Sequence, residues 1–178
     1  MLVLIFMDDI TMEKINNLKG QTNLPLYKEA YTKWNDMHSR VRNNKNYSTV
    51  TISNEWYTFS NFYSWFVENY TGSKSHLDKD IKGGRVYSAD NCILMPGRVN
   101  QMFKGDYGSV GKGVRVQSNG RYQAQATWDG EYKSFGTYDT SDEATAAYEV
   151  ARKKRLYDLS VQYSQYPELS AVLLSLSK

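Results

Sequence analysis

Between His76 and Lys104 the chain gathers side chains that could move a proton or hold a metal ion. His76, Asp78 and Asp80 alternate, so on an extended strand they share one face, with Lys79 turned the other way. His76-Leu-Asp-Lys-Asp-Ile81 reads as a short strand, Lys82-Gly-Gly-Arg85 as a turn, and Asn91-Cys-Ile-Leu-Met95 as a second strand. Pro96 then opens a helix through Arg98, Asn100 and Lys104, since proline is tolerated in a first helical turn. The outline is strand, loop, strand, helix. The plainer reading is a solvated Asp-Lys-Asp strand and a helix-surface asparagine, and the pattern by itself does not choose between the two.

A second set lies further on. From Arg121 the residues Arg121, Gln123, Gln125 and Thr127 project to one side of a strand, while Tyr122, Ala124, Ala126 and Trp128 project to the other. Arginine and glutamine are side chains that make paired hydrogen bonds to guanine and adenine edges in a major groove. The second face is what a helix would pack on, and an ordinary amphipathic sheet would show the same alternation.

The elements that must hold these residues follow from periodicity and turn chemistry. Asn23-Leu-Pro25 leads into a helix with Tyr27, Ala30, Tyr31, Trp34, Met37 and Val41 at helical spacing. That helix ends in Arg40, Arg42 and Lys45, which is either a phosphate-contacting cluster or a favourable placement of charge at a helix C-terminus. His38, beside Arg40, reads as a surface residue. Ser48–Ile52 alternates as a strand, and the aromatic run Glu55–Tyr70 reads as a core helix with Phe59, Phe62, Trp65 and Phe66 inward. A base-stacking platform is the alternative for that run. Gly105–Lys112, with three glycines, is the natural linker.

Beyond it, Gly113-Val-Arg-Val-Gln117, a turn at Ser118-Asn-Gly120, the strand from Arg121, a turn at Asp129-Gly130 and Tyr132–Tyr138 predict three antiparallel strands. A helix starting at Ser141 follows, with Ala144, Ala147, Tyr148 and Ala151 at helical spacing. The apolar C-terminal segment from Tyr166 would dock on its own domain or serve as a dimer contact.

The 178 residues suit one or two small domains, and a hydrophobic content of 40% with 14% aromatics supports packed cores rather than disorder. A net charge of +3 is compatible with nucleic acid without demanding it. The single cysteine, Cys92, excludes an internal disulfide and a multi-cysteine structural zinc site, and reads as a small buried hydrophobe. Met1–Met7 is apolar but lacks a basic leader region and meets Asp8-Asp9, too short a run for a signal peptide or membrane span. It reads as a buried strand or helix start, or as leader from an upstream start codon with Met7 as the alternative start, and a cytoplasmic setting is expected.

The ordered set Gly113-Val-Arg115, Gly120-Arg-Tyr-Gln-Ala124, Phe135-Gly-Thr-Tyr-Asp-Thr140, Glu143-Ala144 and Ala147-Tyr148 resembles the ethylene-response-factor (AP-two) type of DNA-binding domain. That resemblance implies a sheet in the major groove backed by a helix, with Arg115, Gln117, Arg121, Gln123, Gln125, Thr127 and Lys133 facing the groove. Gln125 and Thr127 stand where a glutamate and an arginine are usual, and Asn119 where a tryptophan is common.

Leu77-Asp-Lys-Asp80, the glycine loop, Tyr87–Cys92, Met95-Pro96 and Val99-Asn100 resemble the HNH (His-Me finger, ββα-metal) nucleases of the phage homing type. This implies Asp78 and Asn100 as ligands of one Mg²⁺ or Mn²⁺. The family's general-base histidine is replaced by Lys79, which could instead steady the phosphate, so His76 is the second candidate for the base.

The expected fold is therefore α+β. An HNH-like nuclease domain would span residues 1–104, a linker 105–112, and an AP-two-like domain with a C-terminal extension 113–178. The expected function is metal-dependent cleavage of double-stranded DNA in a bacterial host's cytoplasm, with no membrane. The alternatives are a catalytically inactive DNA-binding regulator and a phage protein that inhibits a host enzyme.

Overall fold

The computed structural model describes residues 12–72, 74–103 and 110–178. The expected element at Met1–Met7, the helix end at Lys104 and most of the 105–112 linker lie outside the described residues.

In chain order the elements are α1 (Tyr27–Asn43), β1 (Thr51–Ile52), α2 (Phe59–Glu68), β2 (Ser75–Asp78), β3 (Val86–Tyr87), β4 (Ile93–Pro96), α3 (Gly97–Asn100), β5 (Val114–Val116), β6 (Tyr122–Trp128), β7 (Glu131–Tyr138), α4 (Ser141–Gln162) and α5 (Pro167–Leu176). The fold is α+β. It forms two compact units that interleave along the sequence. One comprises the residues up to Tyr70 with Lys79–Cys92, and the other Thr71–Asp78 with Ile93–Lys178.

The first unit is built on aromatic packing. The inward set of α1 is Tyr27, Ala30, Trp34 and Met37, and that of α2 is Phe59, Phe62, Trp65 and Phe66, so the 3.6-residue period sets both faces. Phe59, Phe62, Trp65 and Phe66 of α2 are spent in the core, so these four rings offer no base-stacking platform. Trp34 Nε1 donates a 2.6 Å bond to the carbonyl of Trp56, which satisfies the buried indole N–H. The expected strand at Ser48–Ile52 shortens to Thr51–Ile52 because the chain is still turning after the 3₁₀ segment Lys45–Tyr47, with Val50 N donating 2.9 Å to Tyr47 O. β1 pairs in parallel with β3.

The second unit contains an antiparallel hairpin, β2 with β4, followed by α3 and a 3₁₀ turn over Gln101–Phe103. Ile93, Leu94 and Met95 are all buried, as is Cys92, the last residue of the first unit. The three-stranded antiparallel sheet β5-β6-β7 is present, and α4 packs on one face of it. The small core there is Val114, Ala124, Ala144 and Tyr148, flanked by Tyr122, Ala126, Trp128, Phe135, Tyr138 and Ala147. The expected helix-facing set of β6 is thus where the alternation placed it.

A complete capping box starts α4: Thr140 Oγ1 accepts from the Glu143 amide, and the Glu143 carboxylate accepts from Thr140 N. Gly113, at φ +72°, leads into β5 with Tyr148 of α4 against it, and an added Cβ would fall inside that ring. Helix α5 packs on α4 and β4 and buries Leu169 and Leu173, so the C-terminal segment docks on its own unit.

Candidate functional site

The strand, loop, strand, helix outline forms, with revised limits. β2 ends at Asp78, and the chain then turns, with Gly83 N donating 2.8 Å to Asp80 O. Asp80 therefore lies beyond the strand, and the expected face of three shrinks to His76 and Asp78. β4 begins at Ile93 rather than Asn91, and Pro96 precedes the helix as its N-cap residue.

Within this motif α3 packs against β2. A Cβ on Gly97 would stand only 3.0 Å from His76 Nε2, so the imidazole lies directly on the glycine backbone at the first turn of α3. Asn100 follows Gly97 by three residues and so sits on the same side of the helix, one turn on. Since His76 and Asp78 share a face of β2, the structure brings base candidate, carboxylate and amide to one side of the motif. His76 is exposed, while Asp78 and Asn100 are half-buried.

Among the described residues no three His, Cys, Asp or Glu side chains form a metal-binding group. The donors at hand, a carboxylate and an amide oxygen, fit a hard cation such as Mg²⁺, which keeps much of its shell as water and substrate oxygen. The other face of α3 buries Val99, and Arg98 is held by Tyr163 through a 2.8 Å bond from Nε to the hydroxyl.

Lys79 does not join this group. Its side chain is 8% exposed, paired with Asp80, and its Nζ lies 5.3 Å from the Tyr47 ring centre and 5.9 Å from that of Tyr87. Aromatic faces and a carboxylate are partners of an ammonium cation. Burial pushes the Tyr87 hydroxyl well above the usual range, and the adjacent Tyr47 pushes the same way. Arg40 belongs to the same cluster. Burial opposes its charge, but the hydrogen bond to Tyr87 and the nearby Tyr87, Tyr47 and Asp36 outweigh it and hold the guanidinium above its ordinary range. Lys45 is exposed in the 3₁₀ turn after α1.

The face of β5-β6-β7 turned away from α4 carries the second candidate set. Strand pairing sets Arg115 opposite Gln123, Gln125 opposite Ser134, and Thr127 opposite Tyr132, so these residues share that face. Gln117 accompanies them at the turn, where its N–H donates 2.8 Å to Arg121 O. Arg121 is held in place, with Nε donating 2.8 Å to Asp139 Oδ1 and Nη2 donating 3.2 Å to Thr137 O. Gln123 Nε2 donates to Ser134 Oγ at 3.1 Å, and the Tyr132 hydroxyl donates to Gln125 Oε1 at 3.2 Å. Both amides are thus oriented across the strands before any ligand arrives.

Lys133 is the exception among the expected groove residues. It pairs with Ala126, on the helix-side face, and its Nζ bonds Glu131 at 2.6 Å. The cause is a β-bulge between Ala124 and Gln125. Ala124 pairs with Gly136 and Gln125 with Ser134, so Phe135 is the extra residue on β7 and the alternation reverses there. Tyr132 and Ser134 take the open face instead. The available signal was Gly136, since a glycine inside a strand often marks a bulge.

A cleft of about 170 Å³ is lined by Arg98, Gln101, Lys112, Gln125, Thr127 and Asp129 among others, so α3 and β6 border a common space within the second unit. None of the described helices is long and apolar enough to cross a membrane. Comparison with known proteins gives no matching family model and no significant match to a curated protein or a solved structure.

Proposed function

We propose that the protein is a metal-dependent DNA endonuclease of the His-Me finger type, in which the β5-β6-β7 sheet selects the site and the β2-β4-α3 motif cuts. The observation that carries this reading is His76 seated on Gly97, with Asp78 on the same strand face and Asn100 one turn along α3. Asp78 and Asn100 would hold Mg²⁺ or Mn²⁺. A bound divalent cation supplies Lewis-acid polarisation of the scissile phosphate and charge stabilisation of the leaving oxygen. His76 takes the proton of the attacking water as general base, a role that its exposure and its imidazole nitrogens suit. Lys79, enclosed by Tyr47, Tyr87 and Asp80, fixes the start of the loop instead of moving a proton. On the sheet, Arg115, Gln123 and Gln125 supply the donors and acceptors that distinguish base edges.

The test is supercoiled-plasmid cleavage with Mg²⁺, Mn²⁺ or chelator, comparing wild type with Asp78→Ala and His76→Ala. Nicking or linearisation should require metal and Asp78, and should fall about 10²- to 10⁴-fold in His76→Ala. Both variants should keep their gel shift. The enclosure of Lys79 favours a second reading, a DNA-binding regulator on a nuclease scaffold that has lost cleavage. Intact plasmid under every condition, with DNA bound, would select it.

A further inference from the structure

The first unit has a cleft of about 270 Å³ lined by Lys14, Asn35, His38, Ser39, Arg42 and Asn43. Asn35, His38, Ser39 and Arg42 recur at three- and four-residue intervals, so one stripe of α1 forms its floor. Lys14 closes it from the preceding segment. Its Nζ lies 4.8 Å from the Trp34 ring centre and donates 2.5 Å to Asn35 Oδ1. No carboxylate lines the cleft, and among the described residues neither Lys14 nor Arg42 is paired with one. Ser39 Oγ and Asn43 Nδ2 stand together, 3.2 Å apart, at its edge.

His38 is held neutral, chiefly by its burial. Burial lowers its pKa to about 4, with Lys14 and Arg42 pushing the same way against the bond to the Trp56 carbonyl. The ring is therefore neutral, and because a carbonyl only accepts, Nε2 carries the proton at 3.2 Å from Trp56 O. Two cations thus converge, and repel each other, at an open cleft whose floor is the half-buried His38 and Asn35 and whose other lining residues are exposed. An anion with several acceptor oxygens removes that repulsion and engages hydroxyl, amide, ammonium and guanidinium donors together.

We propose that this cleft binds a phosphate group, supplied by the backbone of a nucleic acid. Arg42 is thereby separated in role from Arg40, which is committed to Tyr87. The source of the phosphate rests on the DNA-binding reading above; the anion site does not.

The experiment measures binding of a duplex oligonucleotide by fluorescence anisotropy over a salt series, for wild type, Lys14→Gln, Arg42→Gln and the control Lys19→Gln. Each cleft variant should lower the slope of log K against log salt by about 0.9 and weaken binding roughly ten-fold at about 0.1 M salt, whatever the sequence. Lys19→Gln should change neither. DNA binding by wild type with both cleft slopes unchanged overturns the proposal. In a second arm, inorganic phosphate is titrated while NMR follows the His38 ring. If wild type binds no DNA, the nuclease reading falls and this arm decides alone. Ring shifts that disappear in Arg42→Gln support a phosphate site fed by free phosphate, and unmoved signals overturn it.

Discussion

His38 shows what burial does to a single ionisable group. Its ring sits edge-on between Trp34 and Tyr57, each centroid 5.0 Å away, and desolvation first, then Lys14 and Arg42, lowers its pKa from 6.5 to about 4. The unfolded chain therefore takes up a proton at a higher pH than the folded one. The stability that follows from keeping His38 neutral is full above 6.5 and is lost as pH falls through the window down to about 4. His38→Gln keeps an N–H for the Trp56 carbonyl but does not titrate, so its melting temperature should fall less steeply than wild type across that window. Identical pH slopes for the two proteins would refute the assignment. Sequence alone placed His38 on the surface, because nothing local says that Trp56 and Tyr57 fold back over it. Lys79 was opaque for the same reason: Tyr47 and Tyr87, which enclose it, come from distant stretches of chain.

Elements were legible where one period governs them. The inward set of α2, the helix-facing residues of β6 and the start of α4 at its capping box all follow from local pattern, because the apolar residues there repeat at the spacing of the element. Legibility fails where the period breaks. On β7 the bulge at Phe135 reverses the alternation, so Lys133 moves to the helix side and Tyr132 with Ser134 to the open side. The turn after Asp78 likewise removes Asp80 from the face of His76. The bulge yields a prediction on the DNA-binding reading. Arg115→Ala or Gln125→Ala should alter base preference at one position, costing about 1–3 kcal/mol for the preferred base. Lys133→Ala should leave the preference unchanged and shift binding by less than about 0.5 kcal/mol. Selection from a randomised duplex library followed by gel-shift titration separates the cases. A relaxed preference in Lys133→Ala, with Gln125→Ala unchanged, would mean that the face turned away from α4 does not read the groove.

For the whole molecule, the glycine-rich stretch at 105–112 suggested one cut between two consecutive domains, whereas the compact units interleave through residues 71–92. The hairpin and α3 share a unit with the β5-β6-β7 sheet. Several contacts tie them together: α5 packs on β4, Arg98 bonds Tyr163 at 2.8 Å, and Lys112 Nζ donates 3.0 Å to Met102 O. A fragment of residues 113–178 keeps the core of Val114, Ala124, Ala144 and Tyr148 but loses the β4 surface beneath α5. Below about 70–80 residues a single core contributes only about 3–5 kcal/mol, so losing one packing surface is a large fraction of the total. The fragment 113–178 should therefore melt at lower temperature than 71–178, which retains β4 and α3. Equal midpoints for the two would put the real boundary at the glycine-rich stretch, and would make the hairpin and α3 a passenger on the sheet rather than part of its fold.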